Sequence, residues 1–309
     1  MKSECEMKIL NYNDKSLDAQ VLCLGFFDCI HKGHLKLITK AKSLANKYNA
    51  KVSLFTFSNN PLSLFSEDKL IFTFNERCFA LNQLNIDYVY KAEFDKEFSK
   101  INAKDFLDLI IKDKNIKAIV CGEDYTFGYK KEGNIEFLSK YCMENNIELS
   151  IVDIYKVNGE KIASRVIRKL VEKGSITQIN ANLYSPYLIQ GKVISGKGIG
   201  HKDLYPTANI QIDSDKVKLG DGVYFTQAII NGVRLRSVTN VGMQPTVNGN
   251  SYQIETYIIY YNKDLYGKEI TLEFIDRLRD IKKFNSKIEL KKQIEQDINY
   301  VCSLNGGYD

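Results

Sequence analysis

Two histidines in the first part of the chain have the type and spacing to hold a phosphate group. His31 and His34 lie three positions apart in the segment VLCLGFFDCIHKGHLKL, directly after an apolar run. At the start of a helix, imidazoles at this spacing can donate hydrogen bonds to one anionic ligand, and the free backbone N–H groups of the first turn add to the attraction. Gly33 would allow the backbone to come close to that ligand. The alternative is a pair of surface histidines that follow a core strand.

A second candidate phosphate site lies in the segment GKVISGKGIGHKDLYPTANI. Three glycines alternate with other residues in its loop, namely Gly196, Gly198 and Gly200. Such a loop can present successive backbone N–H groups to a phosphate, although three spaced glycines are equally typical of a flexible turn. Thr207 and Asn209 follow Pro206 and lie two positions apart, so on an extended segment their side-chain oxygens point the same way and can bind one Mg²⁺.

Glu255 is the one charged residue of the strand-like segment YQIETYIIYY. Phosphoryl transfer needs a group that orients or deprotonates the attacking hydroxyl, and a carboxylate among β-branched and aromatic residues is a candidate for that general base. The alternative is an outward-facing charge on an edge strand.

The segment KIASRVIRKLVEKG predicts a helix that begins at Ser164. Ser164 can cap this helix, whose first turns carry Arg165 and Arg168, and guanidinium groups there are suited to bind phosphate. The alternative is a set of exposed arginines on a solvated helix face.

Elements of two kinds must position these residues. The 309-residue length suggests two domains, at roughly 150 residues each. Up to about residue 180, continuously apolar runs alternate with helical periodicity, which predicts an α/β domain with a doubly wound parallel sheet and ligands at the carboxyl ends of its strands. After residue 186, alternating strands predict an antiparallel barrel or sandwich, with Asn231-Gly232 as a hairpin turn and a helix over about 286–301. The LYSP break predicts domains at 1–183 and 184–309.

Composition excludes several classes of protein. With 44% hydrophobic and 26% charged residues the chain is globular, and it has neither an apolar run of about 20 residues nor a signal-peptide pattern, so we expect a cytoplasmic protein outside the membrane.

Seven cysteines without a C-x-x-C pair predict free thiols, and three histidines argue against structural zinc, leaving magnesium on oxygen ligands as the expected metal. A net charge of +5 without a basic stripe argues against nucleic acid as a partner. The sequence does not indicate an oligomeric state.

The surroundings of the histidines resemble the ATP-binding signature of the nucleotidylyltransferase superfamily, in which the histidines stabilise charge on the transferring phosphate. The residues of this G-x-F-D-x-x-H-x-G-H pattern are Gly25, Phe27, Asp28, His31, Gly33 and His34. Further segments are similar to bacterial bifunctional riboflavin kinase/FAD synthetases. TFSNNP, with Asn60, resembles the segment near that family's flavin site, and CGEDYTFGYKKEG, with Asp124, resembles its G-x-D-[FY]-x-F-G pattern. KIASRVIRKLVEKG resembles its I-S-S-T-x-I-R helix start, with Ser164 retained and Arg168 as the arginine that meets the triphosphate.

The second half resembles the riboflavin kinase domain of the same family. The family's P-T-A-N, D-G-V-Y, N-[IV]-G-x-x-P-T, E-T-H, D-L-Y-G and R-x-x-K-F motifs recur in order, with Tyr257 in place of the histidine. The resemblance implies that Thr207 and Asn209 act with Mg-ATP, that Glu255 is the base for the ribityl 5′-hydroxyl, and that Arg279 lies near the flavin.

The resemblance implies a bifunctional enzyme with a C-terminal β-barrel. It would phosphorylate riboflavin to FMN and transfer AMP from a second ATP to FMN, so riboflavin, FMN and ATP are the expected small-molecule partners and Mg²⁺ the expected cofactor. Ala163, Arg165 and Cys29 depart from the family pattern, as does Asn60. A riboflavin kinase with a weakened adenylyltransferase domain therefore stays open as an alternative, and so does a flavin-sensing regulator.

Overall fold

The structure is a computed structural model that describes residues 7–157, 160–195, 205–246 and 249–304. Its contacts divide the chain into two compact units, residues 1–164 and 165–309. The sequence predicts the boundary after residue 183. The division by contacts lies after Ser164, the first residue of a helix, so two helices before residue 183 fall in the second unit apart from Ser164 itself. Within the described residues, no helix is both long and apolar enough to cross a membrane.

The first unit is built on a six-stranded sheet with the order β1-β4-β3-β2-β5-β6, and every strand pair in it is parallel. The strands are β1 (Lys8–Asn11), β2 (Ser16–Leu24), β3 (Lys51–Phe57), β4 (Tyr88–Ala92), β5 (Lys114–Gly122) and β6 (Glu148–Val152), followed by a small hairpin of β7 (Lys156–Val157) and β8 (Glu160–Lys161). From β2 the strand order runs through β3 to β4 on one side and through β5 to β6 on the other. The predicted doubly wound parallel sheet is confirmed, and its switch point lies at β2 and β5.

The helices of the first unit are α1 (Lys32–Tyr48), α2 (Phe74–Asn82), α3 (Ala103–Ile111) and α4 (Ile135–Glu144). Side-chain caps fix where they begin: Asn102 caps α3, Asn134 caps α4, and Thr73 forms a capping box with Glu76 at α2. Helix α1 ends at Asn49, which takes the left-handed conformation typical of such ends. The apolar side of α1 is buried, and this packing fixes the position of the helix and of its first turn.

The second unit is a closed antiparallel barrel with the order β10-β13-β12-β11-β14-β9, so the barrel prediction is confirmed and the sandwich alternative falls. Its strands are β9 (Tyr187–Ile194), β10 (Ala208–Gln211), β11 (Gly222–Ile230), β12 (Val233–Thr246), β13 (Gly249–Ile258) and β14 (Glu269–Arg279), and its helices are α5 (Ser164–Glu172), α6 (Ile176–Asn182) and α7 (Lys287–Ser303). Asn231 and Gly232 both have positive φ in the turn between β11 and β12, as a type I′ hairpin requires. The expected C-terminal helix is α7, which Ser286 caps.

The two faces of the barrel wall carry side chains of different kinds. On one face, the buried hydroxyls of Thr226, Ser237, Thr239 and Thr256 form a continuous hydrogen-bonded chain. On the other face, a buried apolar cluster joins the barrel to Val301 of α7; its barrel members are Val223, Phe225, Val238 and Ile259. Because α7 covers the barrel from outside, the hydroxyl chain lies in the barrel interior. Side chains alternate along a strand, so Glu255, next to Thr256, belongs to the outer face.

Candidate active sites

A cavity of about 850 Å³ opens at the carboxyl ends of β2, β3, β5 and β6 in the first unit. This is the edge at which a doubly wound sheet binds its ligands. Six of the residues predicted from sequence line it: Gly25, His31, Gly33, His34, Asp124 and Ser164.

The two histidines of this cavity contact each other through a hydrogen bond and through ring stacking. His31 is the N-cap of α1, and its Nδ1 accepts a hydrogen bond from the His34 backbone N–H at 3.1 Å. The two rings stack with centroids 3.7 Å apart and planes 11° apart. His34 Nδ1 lies 2.5 Å from the carbonyl oxygen of Cys29, to which it donates. Hydrogen bonding thus assigns the neutral tautomers: His31 carries its proton on Nε2, whereas His34 has a free lone pair on Nε2.

Burial keeps both imidazoles neutral at physiological pH. It lowers the pKa of His31 to about 4, with a smaller lowering contribution from the charge of Lys161. Burial also lowers the pKa of His34 well below its usual value, and the neighbouring His31 adds to this effect. The attraction for an anion in this cavity therefore comes from the His31 Nε2–H and the first turn of α1, together with nearby lysines, rather than from a charged imidazolium.

Two glycines leave the space that this geometry needs. A Cβ on Gly33 would lie 3.0 Å from His31 Cε1, and a Cβ on Gly25 would lie 2.9 Å from the ring of Phe27. Phe27 has a φ of 54° and is fully buried, with its ring centroid 4.9 Å from that of His34. Phe27 therefore supports the histidine pair from behind.

Asp28 and Asn60 face the protein rather than the cavity. The carboxylate of Asp28 is 1% exposed and accepts a hydrogen bond from the Ile71 backbone N–H at 2.9 Å. Asn60 accepts from the Leu62 N–H at 3.1 Å and donates to the Asp68 carbonyl at 2.5 Å, which closes the loop 60–68. Their contacts shape the cavity wall, to which this loop contributes Leu62 among other residues. Direct ligand binding by Asp28 or Asn60 stays a prediction.

Lysines supply the positive charge of the cavity. Lys130 and Lys131 line it, as does Lys161, which forms an ion pair with Asp124. Arg168 is on α5 in the second unit, where its side chain is 8% exposed. Its predicted contact with a triphosphate stays a prediction.

Sequence reasoning missed an aromatic wall in the cavity. Its rings come from four different chain segments: Phe57, Phe94, Phe98, Phe106 and Phe127. Neighbouring rings meet edge to face or tilted, with centroids 5.0 to 6.2 Å apart. The wall gives the cavity an apolar side. The high aromatic content of 11% is a signal in the sequence, but it does not say which rings converge.

Sequence reasoning also missed Arg77, whose guanidinium is 1% exposed beneath the cavity rim. It donates to the Phe26 carbonyl at 3.0 Å, to Thr56 Oγ1 at 2.9 Å and to the Phe57 carbonyl at 2.8 Å. Phe26 and Phe57 line the cavity at the ends of β2 and β3, so Arg77 ties these two strand ends together. Burial lowers the pKa of Arg77 to about 10, which leaves it charged at neutral pH.

In the second unit, strand pairing brings predicted residues into one row. Asn209 of β10 lies opposite Glu255 of β13, and Glu255 lies opposite Asn240 of β12. The row continues through Val223 of β11 to Arg279 of β14. Directly opposite residues point to the same side of a sheet, so all five share the outer face of the barrel. Thr207 immediately precedes β10.

The polar members of this row differ in their hydrogen bonding. The side chains of Asn209, Asn240 and Glu255 are half-buried and make no hydrogen bond or ion pair to another part of the chain that the structure describes. Arg279, in contrast, donates three hydrogen bonds of 2.8 to 3.1 Å to the buried carboxylate of Asp297 on α7. The row thus presents free oxygen and amide groups at one end and a neutralised guanidinium at the other.

Three predicted residues, Gly196, Gly198 and Gly200, lie outside the described residues. Pro206 is exposed just before β10. Among the described residues, no group of three or more His, Cys, Asp or Glu side chains is placed to hold a metal ion.

Comparisons with known families match both units. The family described as FAD synthetase matches residues 13–166, and the family described as riboflavin kinase matches residues 183–304.

Curated relatives match almost the whole chain. Three proteins named bifunctional riboflavin kinase/FMN adenylyltransferase illustrate this. The Escherichia coli K12 protein is 30% identical and aligns over 94% of both chains. The Bacillus subtilis protein is 30% identical over 92% of this chain and 93% of its own, and the Buchnera aphidicola protein from Acyrthosiphon pisum is 33% identical over 94% and 96%.

A solved structure from Streptococcus pneumoniae, titled a macrolide-efflux protein, has a TM-score of 0.85 and 30% identity, and the match covers 97% of this chain and 99% of that one.

Proposed function

The chain belongs to the family of bifunctional riboflavin kinase/FMN adenylyltransferases, and on that premise we propose how its residues divide the two reactions. The barrel unit converts riboflavin to FMN, and the α/β unit converts FMN to FAD with release of pyrophosphate. ATP is the co-substrate of both steps. The observation that carries this division is that the histidine cavity and the Asn209–Glu255 row lie in different compact units.

For the kinase, Glu255 is the general base. It takes the proton of the ribityl 5′-hydroxyl as that oxygen attacks the γ-phosphoryl group of ATP, and ADP leaves. Arg279 contacts the flavin near the other end of the row.

Thr207 and Asn209 fit a magnesium ion. Both offer uncharged oxygen ligands, and the amide of Asn209 has no partner among the described residues, so its oxygen is free to bind. Magnesium bound there would neutralise charge on the phosphates of ATP.

For the adenylyltransferase, the FMN phosphate is the nucleophile and is already anionic, so it needs alignment and charge neutralisation rather than a base. The His31 Nε2–H and the start of α1 are directed at the phosphates. Ser164 and Asp124 line the same cavity. The aromatic wall accommodates the flavin ring system of FMN.

We place this enzyme in the cytoplasm because its six described cysteines are free thiols, as is usual in a reducing compartment.

Two variants test the assignment in the full-length chain. Incubation with riboflavin, ATP and Mg²⁺, followed by chromatographic separation of flavins, gives FMN and FAD for the parent protein. Glu255→Gln should abolish FMN formation while FAD still forms from supplied FMN. His31→Ala should do the reverse. Loss of both activities in either variant, or no loss in the expected one, would contradict the proposed division.

A further inference from the structure

Tyr205 and Tyr257 form an aromatic contact next to the start of β10. Their ring centroids are 4.8 Å apart and their planes meet at 54°. Tyr205 directly precedes Pro206 and Thr207, and Tyr257 stands in place of the histidine of the E-T-H motif. Resting on the proposed role of Thr207 in holding Mg-ATP, we propose that Tyr257 is a positioning residue of the kinase. Through its contact with Tyr205, it fixes the place of Thr207 on the face of the barrel that carries Glu255.

The strand register places Tyr257 where the chain enters β10. Ala208, the first residue of β10, lies opposite Thr256 of β13. Tyr257 follows Thr256 and shares the outer face of the barrel with Glu255, because side chains alternate along a strand. Thr207 comes just before the first pair of this ladder. Within the described residues, the pairing of β10 with β13 thus begins only after Thr207, and the ring contact lies on the other side of it.

Tyr257 is itself held by apolar packing. It packs against the buried cluster that joins the barrel to Val301 of α7. Tyr205 also lies near α7: burial raises the pKa of its hydroxyl, and the negative charge of Glu295 on α7 raises it further. The contact between the two rings therefore connects the segment before β10 to the packed outer layer of the barrel.

A preorganised segment explains how this contact acts on the reaction. Magnesium requires nearly ideal octahedral geometry, so a hydroxyl ligand such as that of Thr207 has to be well placed. A segment that is already ordered in the free protein does not lose its freedom at the moment of binding, and the ligand binds more tightly as a result. We therefore expect the contact to affect the affinity for Mg-ATP, and not the affinity for riboflavin.

Hydrogen exchange without nucleotide or metal measures the order of the segment independently of activity. In full-length Tyr257→Ala and Tyr205→Ala, the backbone amides of residues 205–211 should exchange about 3- to 10-fold faster than in the parent protein, as expected when an aromatic pair is lost. Tyr257→Phe keeps the ring and should exchange at the parent rate. Strand β3 of the first unit should be unchanged in all three variants and serves as the internal reference.

Steady-state kinetics of riboflavin phosphorylation measures the consequence for the reaction. KM for Mg-ATP should rise about 3- to 10-fold in Tyr257→Ala and in Tyr205→Ala, while KM for riboflavin stays within about twofold. The double variant should lie within about twofold of the more affected single variant, because both changes break the same contact. Tyr257→Phe should restore the parent KM for Mg-ATP.

Two controls separate positioning from damage to the fold. Tyr300→Ala removes a tyrosine that is 52% exposed on α7, and it should leave both KM values and the exchange of residues 205–211 unchanged. FAD formation from supplied FMN, measured on the same samples, should match the parent protein in every variant. If Tyr257→Ala fails to fold because the apolar cluster loses its ring, Tyr205→Ala breaks the same contact from the other side.

The outcomes decide the proposal as follows. Faster exchange of residues 205–211 together with a raised KM for Mg-ATP supports it. Unchanged exchange or an unchanged KM for Mg-ATP in the alanine variants overturns it, and so does a double variant whose effect is the product of the two single effects, since the rings then act independently.

Asn209→Ala separates this proposal from the proposed function. A parent-like KM for Mg-ATP in Asn209→Ala would contradict the assignment of the metal site itself. A raised KM in Asn209→Ala with parent-like tyrosine variants would remove only the role of Tyr257.

Discussion

Replacing Arg77 by methionine should weaken the first unit and distort its cavity. The change removes three charge-assisted hydrogen bonds, to the Phe26 carbonyl, Thr56 Oγ1 and the Phe57 carbonyl. Hydrogen bonds to charged groups contribute about 1.5–3 kcal/mol each, which gives a gross loss of about 4.5–9 kcal/mol.

Part of that loss is offset. A guanidinium that is 1% exposed is costly to desolvate, and methionine removes that cost. Thr56 Oγ1 also continues to donate to the Phe26 carbonyl at 2.6 Å, so the Phe57 carbonyl is the group left without this donor. We therefore expect a net decrease of about 2–4 kcal/mol in the free energy of unfolding for Arg77→Met, and a smaller decrease for Arg77→Lys, which keeps the charge but reaches fewer acceptors.

Urea unfolding followed by circular dichroism measures this loss, with the exposed Lys112→Met as the matched control in the same unit. The control should stay within about 0.5 kcal/mol of the parent protein. Because Phe26 and Phe57 line the cavity, KM for FMN in FAD synthesis should rise in both Arg77 variants, while riboflavin phosphorylation by the barrel stays the same. An unfolding free energy for Arg77→Met equal to that of the control would refute the reasoning.

Three further changes are predicted. Gly33→Ala places a methyl group 3.0 Å from His31 Cε1, so FAD formation from FMN should fall at least about 10-fold in a steady-state assay while FMN formation is retained. The pKa of His31 is lowered to about 4 in the folded protein, so on acidification the unfolded state takes up this proton first. The free energy of unfolding, measured with urea, should therefore fall as the pH drops from about 6.5 towards 4. The variant His31→Gln should show a weaker dependence on pH. Asp297→Ala leaves the Arg279 guanidinium, 15% exposed, without its carboxylate and should lower stability by about 3 kcal/mol in thermal unfolding, with loss of FMN formation but not of FAD formation.

Local signals in the sequence were sufficient for much of the fold. The apolar run predicted over 21–27 begins within β2, which ends at Leu24. The Asn231-Gly232 pair forms the hairpin between β11 and β12, and Ser286 caps α7. Each of these features depends on periodicity or on a backbone preference within a few residues. The barrel required the resemblance to a family, because alternating strands are equally typical of a sandwich.

Features that depend on which strands become neighbours were not predictable from local patterns. Asn240 and Glu255 are 15 positions apart in sequence and meet through the register of β12 and β13. Arg77 reads as an ordinary helix residue until the loops after β2 and β3 bury it. The neutral state of the His31–His34 pair likewise follows from burial and from the carbonyl of Cys29, which the H-x-G-H spacing does not reveal.

A mixing experiment tests most directly the claim that each unit has its own nucleotide site and chemistry. Glu255→Gln and His31→Ala proteins are combined with riboflavin, ATP and Mg²⁺, and FAD is measured by chromatography. Incubated separately, neither variant should form FAD from riboflavin. The mixture should form FAD, because FMN made by the barrel of the His31→Ala protein can be adenylylated by the α/β unit of the Glu255→Gln protein. A mixture that accumulates FMN without FAD, or that forms no FMN at all, would contradict the account.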